Sequence, residues 1–383
     1  MDKANIQKVF ALGYDDYLNR FNPSDIQHKT AMNIMACKSG KLGLNASVCD
    51  QCEFRDIHYN SCRNRHCPCC QAVLSDIWID SRKAEVIDAP YFHLVFTIPQ
   101  ELNPLIYANQ ELLYGLLHSC AAETVLALSD NKKFLGAAPG IIQVLHTWGQ
   151  KLNYHPHIHM IIASGGLTKT GKFIKSKARF FIPVKVLGKV FRGKFLEKLG
   201  NYYRQGKIII PASLEKLRNS LEFKELIDYL YKKTFIPYIK ETFNGFGNAI
   251  DYLGRYTHRI AISNARITEI SDKDVSFKAR DYRTGLIETV TLTHTHFIRS
   301  FLMHVLPCGF QKIRYYGFLN NRFKSLNLKV ISRLTGKELF KATFRNLSIS
   351  ELLNVLYGLD TGRCPVCNEG TLRHSGRTFH KLE

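Results

Sequence analysis

The sequence predicts an α+β protein that begins with a small zinc-ribbon-like domain. Seven of the eleven cysteines crowd into residues 37–70, so the front of the chain is cysteine-rich. Strand patterns follow: residues 91–99 alternate and end at a proline, and residues 140–166 are typical of the two strands of a hairpin. Helical periodicity over 105–127 and a β-meander pattern over 265–293 complete the mixed class.

We expect three parts in the 383-residue chain. The cysteine-rich domain covers 1–85, and a larger domain with a central sheet and helices covers 86–325. Within the larger domain, about 168–243 is predicted to be a basic helical insertion. Residues 326–383 are predicted to be a C-terminal tail with a lone C-x2-C pair.

The composition favours a polyanionic partner. Lys and Arg total 53 against 32 acidic residues, which gives a formal charge of +21 and a pI near 9.5. Nucleic acid is the simplest such partner, although a merely basic surface would give the same balance. The first residues lack a signal-peptide pattern, and no uninterrupted apolar run is long enough for a membrane span. We therefore expect a cytoplasmic protein, associated with the nucleoid through DNA and without a membrane partner.

Two C-x2-C pairs in the first domain predict a zinc site. Cys49 and Cys52 form one pair, Cys67 and Cys70 form the other, and fourteen residues separate them. Two close pairs of thiolates suit tetrahedral zinc, and cysteines in a cytosolic chain point to metal before disulfides. Cys69 leaves an alternative open, because it could replace Cys70 as the partner of Cys67.

A second zinc ion is a further possibility in the same domain. Cys37, Cys62 and His66 remain after the first set, with His28 or His58 as a fourth ligand. The alternative is that these are buried thiols and a surface histidine, because no spacing rule defines the set.

The last cysteine pair, Cys364 and Cys367, resembles half of a zinc site. A lone C-x2-C pair is weak support for metal binding. Its partner could be His374 or His380, or it could have none.

Basic residues in two regions predict contacts with DNA. Arg63 and Arg65 give the first domain a cationic face suited to phosphates. Residues 169–207 hold twelve Lys or Arg and one acid, Glu197, with aromatic residues interleaved. Such a segment can follow a single strand by charge and base stacking, but it can equally be a solvated helix pair with an apolar underside.

Three histidines at alternate positions form the most informative pattern. His155, His157 and His159 point to one face of a strand. They could form a structural ladder or a nucleotide-hydrolase site with a histidine nucleophile. Alternatively, His157 and His159 hold a divalent cation that polarises a scissile phosphate.

Two tyrosines favour the metal hypothesis. Tyr252 and Tyr256 are four residues apart, so on a helix their hydroxyls share one face. A tyrosine can attack a phosphodiester and keep the phosphate as a covalent ester, which allows a cut strand to be rejoined. A nucleotide hydrolase has no use for such a pair, although an amphipathic core face would also explain it.

Five segments, taken in order over residues 28–320, resemble one family. The chain is similar to the rolling-circle, two-tyrosine insertion-sequence transposases of the HUH endonuclease superfamily. The matching segments are NSCRNRHCPCCQ (60–71), YFHLVFTIP (91–99), HTWGQKLNYHPHIHMIIASGG (146–166), YLGRYTHRIAIS (252–263) and HVLPCGFQKIRYYGFL (304–319).

The resemblance implies a fold and a set of site residues. The fold is an HUH-type central antiparallel sheet flanked by helices, with an N-terminal zinc-binding domain. His157 and His159 become ligands of Mg²⁺ or Mn²⁺, and Tyr252 and Tyr256 become the nucleophiles. His146, on the partner strand of the hairpin, is the first candidate for a third ligand. The other candidates are Gln143 and His258, and the neighbouring residues predicted to contact DNA are Arg255 and Arg259.

The resemblance also implies a reaction. The enzyme would nick and rejoin single-stranded or hairpin DNA at element ends through a 5′-phosphotyrosine, and host replication could extend the free 3′-OH. A plasmid replication initiator or relaxase with the same chemistry, and a non-catalytic zinc-ribbon regulator, are the alternatives. The oligomeric state stays undetermined by the sequence.

Overall fold

The computed structural model describes most of the chain. The described residues are 5–70, 72–176, 182–235, 237–241, 261–281 and 284–380. Within them, ten α-helices are α1 (Ile6–Arg20), α2 (Asp25–Ala36), α3 (Ala72–Lys83), α4 (Asn103–Ala108), α5 (Gln110–Asp130), α6 (Val184–Arg204), α7 (Ser220–Lys232), α8 (His294–Leu302), α9 (Lys324–Thr335) and α10 (Ile349–Tyr357). Twelve strands are β1 (Leu44–Cys49), β2 (Arg55–Tyr59), β3 (Tyr91–Thr97), β4 (Ala138–Trp148), β5 (Tyr154–Leu167), β6 (Phe173–Lys175), β7 (Tyr238–Glu241), β8 (Ile267–Ile270), β9 (Asp274–Arg280), β10 (Ile287–Thr293), β11 (Ile313–Tyr316) and β12 (Leu372–Arg377).

An antiparallel sheet of six strands forms the centre of the molecule. Its order is β11-β4-β5-β3-β7, and β6 pairs with β5 outside this path. The predicted hairpin is the long pair β4–β5, and β3 lies on the other side of β5. The predicted α+β class, with a central antiparallel sheet flanked by helices, is confirmed.

The two faces of the central sheet carry different layers. Side chains alternate along a strand, so Leu94 and Met160 face the core against α5 and α6, whereas Val144 and Ile161 face the layer that includes α3 and α9. Among the described helices, α5 alone is long and apolar enough to cross a membrane by length and composition, and 61% of that stretch is buried inside the fold. We interpret α5 as a core helix, because it packs on the sheet.

A second layer joins the N-terminus to the meander. α1 packs against α8 and the sheet β10-β9-β8, with Phe10, Phe277 and Phe297 buried between them. Phe10 meets Phe301 edge to face at 5.4 Å between ring centroids. This layer places the first helices of the chain directly beside its later strands.

The third sheet draws on both ends of the chain. Its order is β12-β1-β2, and Val48 in β1 pairs with Arg373 in β12. The described part of the segment 326–383, which we expected to be a C-terminal tail with a lone C-x2-C pair, therefore returns to the cysteine-rich domain. The reason is backbone pairing between distant strands, which neither segment reveals alone.

Candidate active site and zinc centres

Three imidazoles converge where β4 and β5 pair. His146 lies directly opposite His157, and Val144 lies opposite His159. The three side chains therefore share one face of the sheet, and their ligand atoms all lie within 4.8 Å of one another. His157 Nε2 and His159 Nε2 are 3.0 Å apart. The structure brings together the predicted histidine pair and His146, the first candidate for the third ligand.

The centre is buried and its imidazoles have defined orientations. Hydrogen bonds engage the far side of two rings: His157 Nδ1 lies 2.6 Å from the carbonyl oxygen of His155, and His159 Nδ1 lies 2.8 Å from Nε2 of His93. Both contacts leave the Nε2 atoms facing each other. Such partners of a ligating histidine fix its ring orientation and tautomer. Trp148 stacks on the His146 ring at 4.6 Å and 19°.

Burial also selects the protonation state. It lowers the pKa of His157 to about 3, with a smaller contribution from the neighbouring His155. A neutral imidazole has a free lone pair, which is the form that binds metal. The donor set therefore fits a divalent cation.

The other predicted residues of this site divide into two groups. Gln143 lies on the opposite face and contacts His118 at 2.8 Å in the core, so it is not beside the centre. The remaining predicted residues fall in 242–260, outside the described residues: Tyr252, Tyr256, Arg255, Arg259 and His258.

The structure divides the four predicted zinc ligands between two cysteine clusters. Cys67 and Cys70 lie with two cysteines of the same domain, Cys37 and Cys62. Cys49 and Cys52 instead lie with the pair at the end of the chain, Cys364 and Cys367. The predicted grouping is corrected, because the β1–β12 pairing carries the C-terminal pair to the first knuckle.

The first cluster lies at the edge of a hydrophobic core. Cys37 and Cys67 are fully buried beside the core formed by α1, α8 and the meander sheet. The Sγ atom of Cys70 is 3.2 Å from that of Cys37 and 3.7 Å from that of Cys62. Hydrogen bonds from the Cys37, Cys62 and Cys67 thiols lower the pKa of Cys70, which favours the thiolate that binds metal.

The histidines considered for the second zinc lie elsewhere. His66 is half-buried, its Nε2 accepts a hydrogen bond from the Leu306 N–H at 3.3 Å, and desolvation lowers its pKa to about 3. His28 bonds to the Tyr14 hydroxyl. His58 pairs with an aspartate on its own strand. Each has another partner, so the cluster consists of thiols.

One extra thiol lies beside the first cluster. Cys69, the alternative partner of Cys67, accepts a hydrogen bond from the Asn264 side chain at 3.8 Å. The group of four includes Cys70 and leaves Cys69 out.

The two arginines predicted to bind DNA have different surroundings. The Arg65 guanidinium donates to the carbonyl oxygens of Phe310 at 2.7 Å and Pro307 at 2.8 Å. It therefore ties the cysteine-rich domain to the segment after α8. Arg63 is exposed and remains a candidate for a phosphate contact.

The described residues of the basic stretch 169–207 contain the strand β6 and one helix, α6, and not the helix pair of the alternative, but the apolar underside of that alternative is present. Phe191 and Phe195 are buried in the core, and Tyr203 stacks on Phe223 at 3.7 Å. These described aromatic rings form an apolar underside and do not offer a surface to bases. Lysines remain on the exposed side, as at Lys189.

Comparison with known proteins gives two matching family models. The model described as "Transposase zinc-binding domain" matches residues 9–98, and the model described as "Putative transposase" matches 140–326. The protein "Putative transposase y4qJ" of Sinorhizobium fredii is 39% identical over 353 residues, which are 91% of this chain and 89% of that protein. The chain belongs to this transposase family.

A second relative supports the same family. The "Transposase for insertion sequence element IS801" of Pseudomonas savastanoi pv. phaseolicola is 28% identical over 351 residues, which are 90% of this chain and 82% of that protein. No solved structure matches the chain. The protein is thus a transposase that acts on DNA and carries a zinc-binding domain at its N-terminus, as the resemblance predicted.

The ranges matched by the two family models include most, but not all, of the residues that form the histidine centre and the cysteine clusters. The transposase model covers the three histidines, and the zinc-binding model covers Cys37 through Cys70. His93 lies in the range of the zinc-binding model and His159 in that of the transposase model, so neither range contains both. Cys364 lies beyond both ranges. Sequence reasoning missed His93, although a histidine within the apolar strand YFHLVFTIP was a usable signal.

Proposed function

We propose that this transposase nicks and rejoins single-stranded DNA at the ends of its element through a 5′-phosphotyrosine intermediate. The observation that supports the proposal most is the convergence of His146, His157 and His159 in one buried centre. Three buried imidazoles on adjacent strands have little structural need to face one another, but they suit a divalent cation.

Mn²⁺ or Mg²⁺, held by these three histidines, would polarise the scissile phosphate and orient it. Imidazole nitrogen is a better ligand for Mn²⁺ than for Mg²⁺, which prefers oxygen. The β4–β5 pairing sets the positions of the rings, and the contacts of His157 and His159 with their neighbours set the direction of each Nε2. The first contribution of the protein to catalysis is therefore to hold the three imidazoles in fixed positions before the metal and the DNA bind.

The nucleophile that we propose is a tyrosine of the segment 252–256. The phenol oxygen of Tyr252 or Tyr256 attacks phosphorus and loses its proton. The bond from phosphorus to the 3′ oxygen breaks, and that oxygen takes up a proton. The products are a 5′-phosphotyrosine and a free 3′-OH, so the phosphodiester energy is kept for rejoining.

Two tyrosines allow two transfers within one cycle. One would hold the first element end, while the other handles the second end or the target. Host replication can extend the 3′-OH while the strand is displaced. The formal charge of +21 supports binding of single-stranded or hairpin DNA. Because its partner is DNA, the protein would act in the cytoplasm, on the nucleoid.

A labelled-substrate assay tests the proposal. Single-stranded DNA from both ends of the encoding element is incubated with the protein and Mn²⁺, and the products are separated on a denaturing gel. We expect a protein–DNA adduct that retains a 3′ label of the substrate, because the fragment downstream of the nick is joined to the tyrosine through its 5′ phosphate, whereas a 5′ label stays on the released fragment. The Tyr252→Phe/Tyr256→Phe variant should form none. DNA binding without any adduct would instead indicate a zinc-ribbon regulator, and nicking restricted to a replicon origin would indicate a replication initiator.

A further inference from the structure

The second cysteine cluster joins the two ends of the chain. We propose that Cys49, Cys52, Cys364 and Cys367 bind a second zinc ion, which fastens the C-terminal segment to the N-terminal domain. The zinc-binding unit is then discontinuous and includes residues far outside the matched zinc-binding domain at 9–98.

The sulfur positions suit tetrahedral zinc. Cys49 Sγ lies 3.7 Å from Cys367 Sγ, and Cys52 Sγ lies 3.6 Å from Cys364 Sγ. Zinc–sulfur bonds of about 2.3 Å separate the sulfurs of a tetrahedral site by about 3.8 Å. A disulfide would need a sulfur separation of about 2.05 Å. The four thiols, whose sulfur atoms all lie within 4.8 Å of one another, therefore have the spacing of a metal site and not that of two disulfide bonds.

The two C-x2-C turns have the same backbone geometry. In the first, the residue after the second cysteine is Glu53, with φ of 59°, and its N–H donates to the Cys49 carbonyl at 3.2 Å. In the second, the equivalent residue is Asn368, with φ of 57°, and its N–H donates to the Cys364 carbonyl at 3.1 Å. A left-handed conformation at a glutamate is unfavourable. Its occurrence at matching positions indicates two half-sites of one kind.

Backbone amides also point at the sulfurs. The Gln51 N–H lies 3.4 Å from Cys49 Sγ, and the Gly370 N–H lies 3.3 Å from Cys367 Sγ. Such hydrogen bonds stabilise thiolates. A Cβ atom added to Gly370 would lie 2.3 Å from Cys49 Sγ, so this close approach requires glycine.

The sheet around the cluster lacks the burial that would hold it together. β2 exposes four of its five residues, and β12 exposes four of its six. No described residue of β1, β2 or β12 belongs to the three hydrophobic clusters of the described chain. Three strands with so little apolar burial need another source of stability, and a structural metal is the usual one.

The proposed ion would close a very long loop. Cys52 and Cys364 are 312 positions apart in the sequence. On the way back, the C-terminal segment contacts α3, where Tyr357 donates to Asp76 at 2.8 Å and two backbone N–H groups donate to Asp80. Closing a long loop in the folded state carries a large entropic cost, which a strong cross-link offsets. Zinc would thus fix both the ribbon sheet and this segment.

Zinc counting on the full-length protein tests the inference. Native mass spectrometry should find two zinc ions per chain. The Cys364→Ser/Cys367→Ser variant should lose one, and so should Cys49→Ser/Cys52→Ser. Because both pairs share one ion, the quadruple variant should lose no more than either double. The control Cys308→Ser, at an exposed cysteine outside both clusters, should keep both ions.

Two outcomes would overturn the inference. One is an unchanged zinc count after loss of Cys364 and Cys367, as expected if Cys49 and Cys52 bound zinc with the Cys67 pair. The other is an intact mass that reveals disulfides. If a variant folds poorly, hydrogen exchange of the wild type during chelation decides: the amides of β1 and β12 should lose protection at least tenfold, while those of β4 and β5 keep theirs. Neither readout depends on whether the histidine centre cleaves DNA.

Discussion

His93 and His159 form a direct pair between neighbouring strands, with Nε2 of His93 2.8 Å from Nδ1 of His159. His93 is buried on β3, and His159 lies on β5. The contact occupies the ring nitrogen of His159 that faces away from His157. Thus β3, which supplies no proposed ligand, controls the orientation of one.

Replacing His93 should weaken metal binding while leaving the ligands in place. In His93→Leu, His159 loses its partner, so we expect a decrease of about 10- to 100-fold in Mn²⁺ affinity. His93→Gln, which retains a hydrogen-bonding group, should recover part of the loss. Titration calorimetry of the purified variants measures this, and equal affinities for the wild type and the leucine variant would contradict the positioning role.

The third ligand can be tested against a neighbour. His146→Ala removes an imidazole from the centre, so Mn²⁺ affinity should decrease by more than the about 100-fold limit of an orienting partner. His155→Ala is the matched control, because the substitution retains the backbone carbonyl that accepts the hydrogen bond from His157. Electron paramagnetic resonance of free Mn²⁺ distinguishes them. A similar loss of Mn²⁺ affinity in both variants would contradict the assignment of His146 as the third ligand.

Arg65 and Arg63 should affect different properties. Arg65→Ala removes two hydrogen bonds to carbonyl oxygens, so the free energy of unfolding should decrease by about 1.5–3 kcal/mol. Arg63→Ala should leave stability unchanged, weaken DNA binding, and reduce the slope of log affinity against log salt by about one. Denaturant melts and salt-dependent binding measure the two effects. Weaker DNA binding in Arg65→Ala together with lower stability in Arg63→Ala would contradict the assignment of Arg65 to stability and Arg63 to DNA binding.

Stability should decrease as the pH falls below about 6.5. His304 is buried between the Thr147 hydroxyl and the Leu152 carbonyl, and burial lowers its pKa to about 4. The unfolded chain, with the ordinary higher pKa, binds the proton first, so this contribution is present above pH 6.5 and is lost toward pH 4. Each such histidine contributes a slope of about 1.4 kcal/mol per pH unit.

The slope can be assigned with one variant. His304→Gln cannot titrate, so its free energy of unfolding should fall less steeply between pH 7.5 and 5 than that of the wild type. His380→Gln, at an exposed position, serves as the control and should keep the wild-type slope. Urea melts at each pH give the values. Parallel curves for all three proteins would contradict the buried neutral state of His304.

Local patterns of the sequence were sufficient to predict the β4–β5 hairpin of the central sheet. The alternation of HPHIH predicts that His157 and His159 share a face, and the hairpin predicts that His146 lies nearby, because both features depend on a few adjacent residues. The meander over 265–293 corresponds to β8, β9 and β10 for the same reason. The mixed α+β class followed from these elements.

Long-range contacts were beyond the same reasoning. Cys49 and Cys67 are close in sequence and have standard spacing, so local arguments grouped them. The actual neighbours of Cys49 come from the end of the chain through strand pairing. Arg65 and His66 have residue types suited to phosphate and metal, but their contacts with the segment after α8 depend on tertiary packing.

The reaction that we propose links a phenol of the segment 252–256 to DNA under the control of the histidine centre. Peptide mass mapping after reaction with single-stranded element ends and Mn²⁺ tests it most directly. We predict a nucleotide-modified peptide that contains Tyr252 or Tyr256 in the wild type and not in His157→Ala. Modification of any other residue, or an equal yield in His157→Ala, would contradict the account.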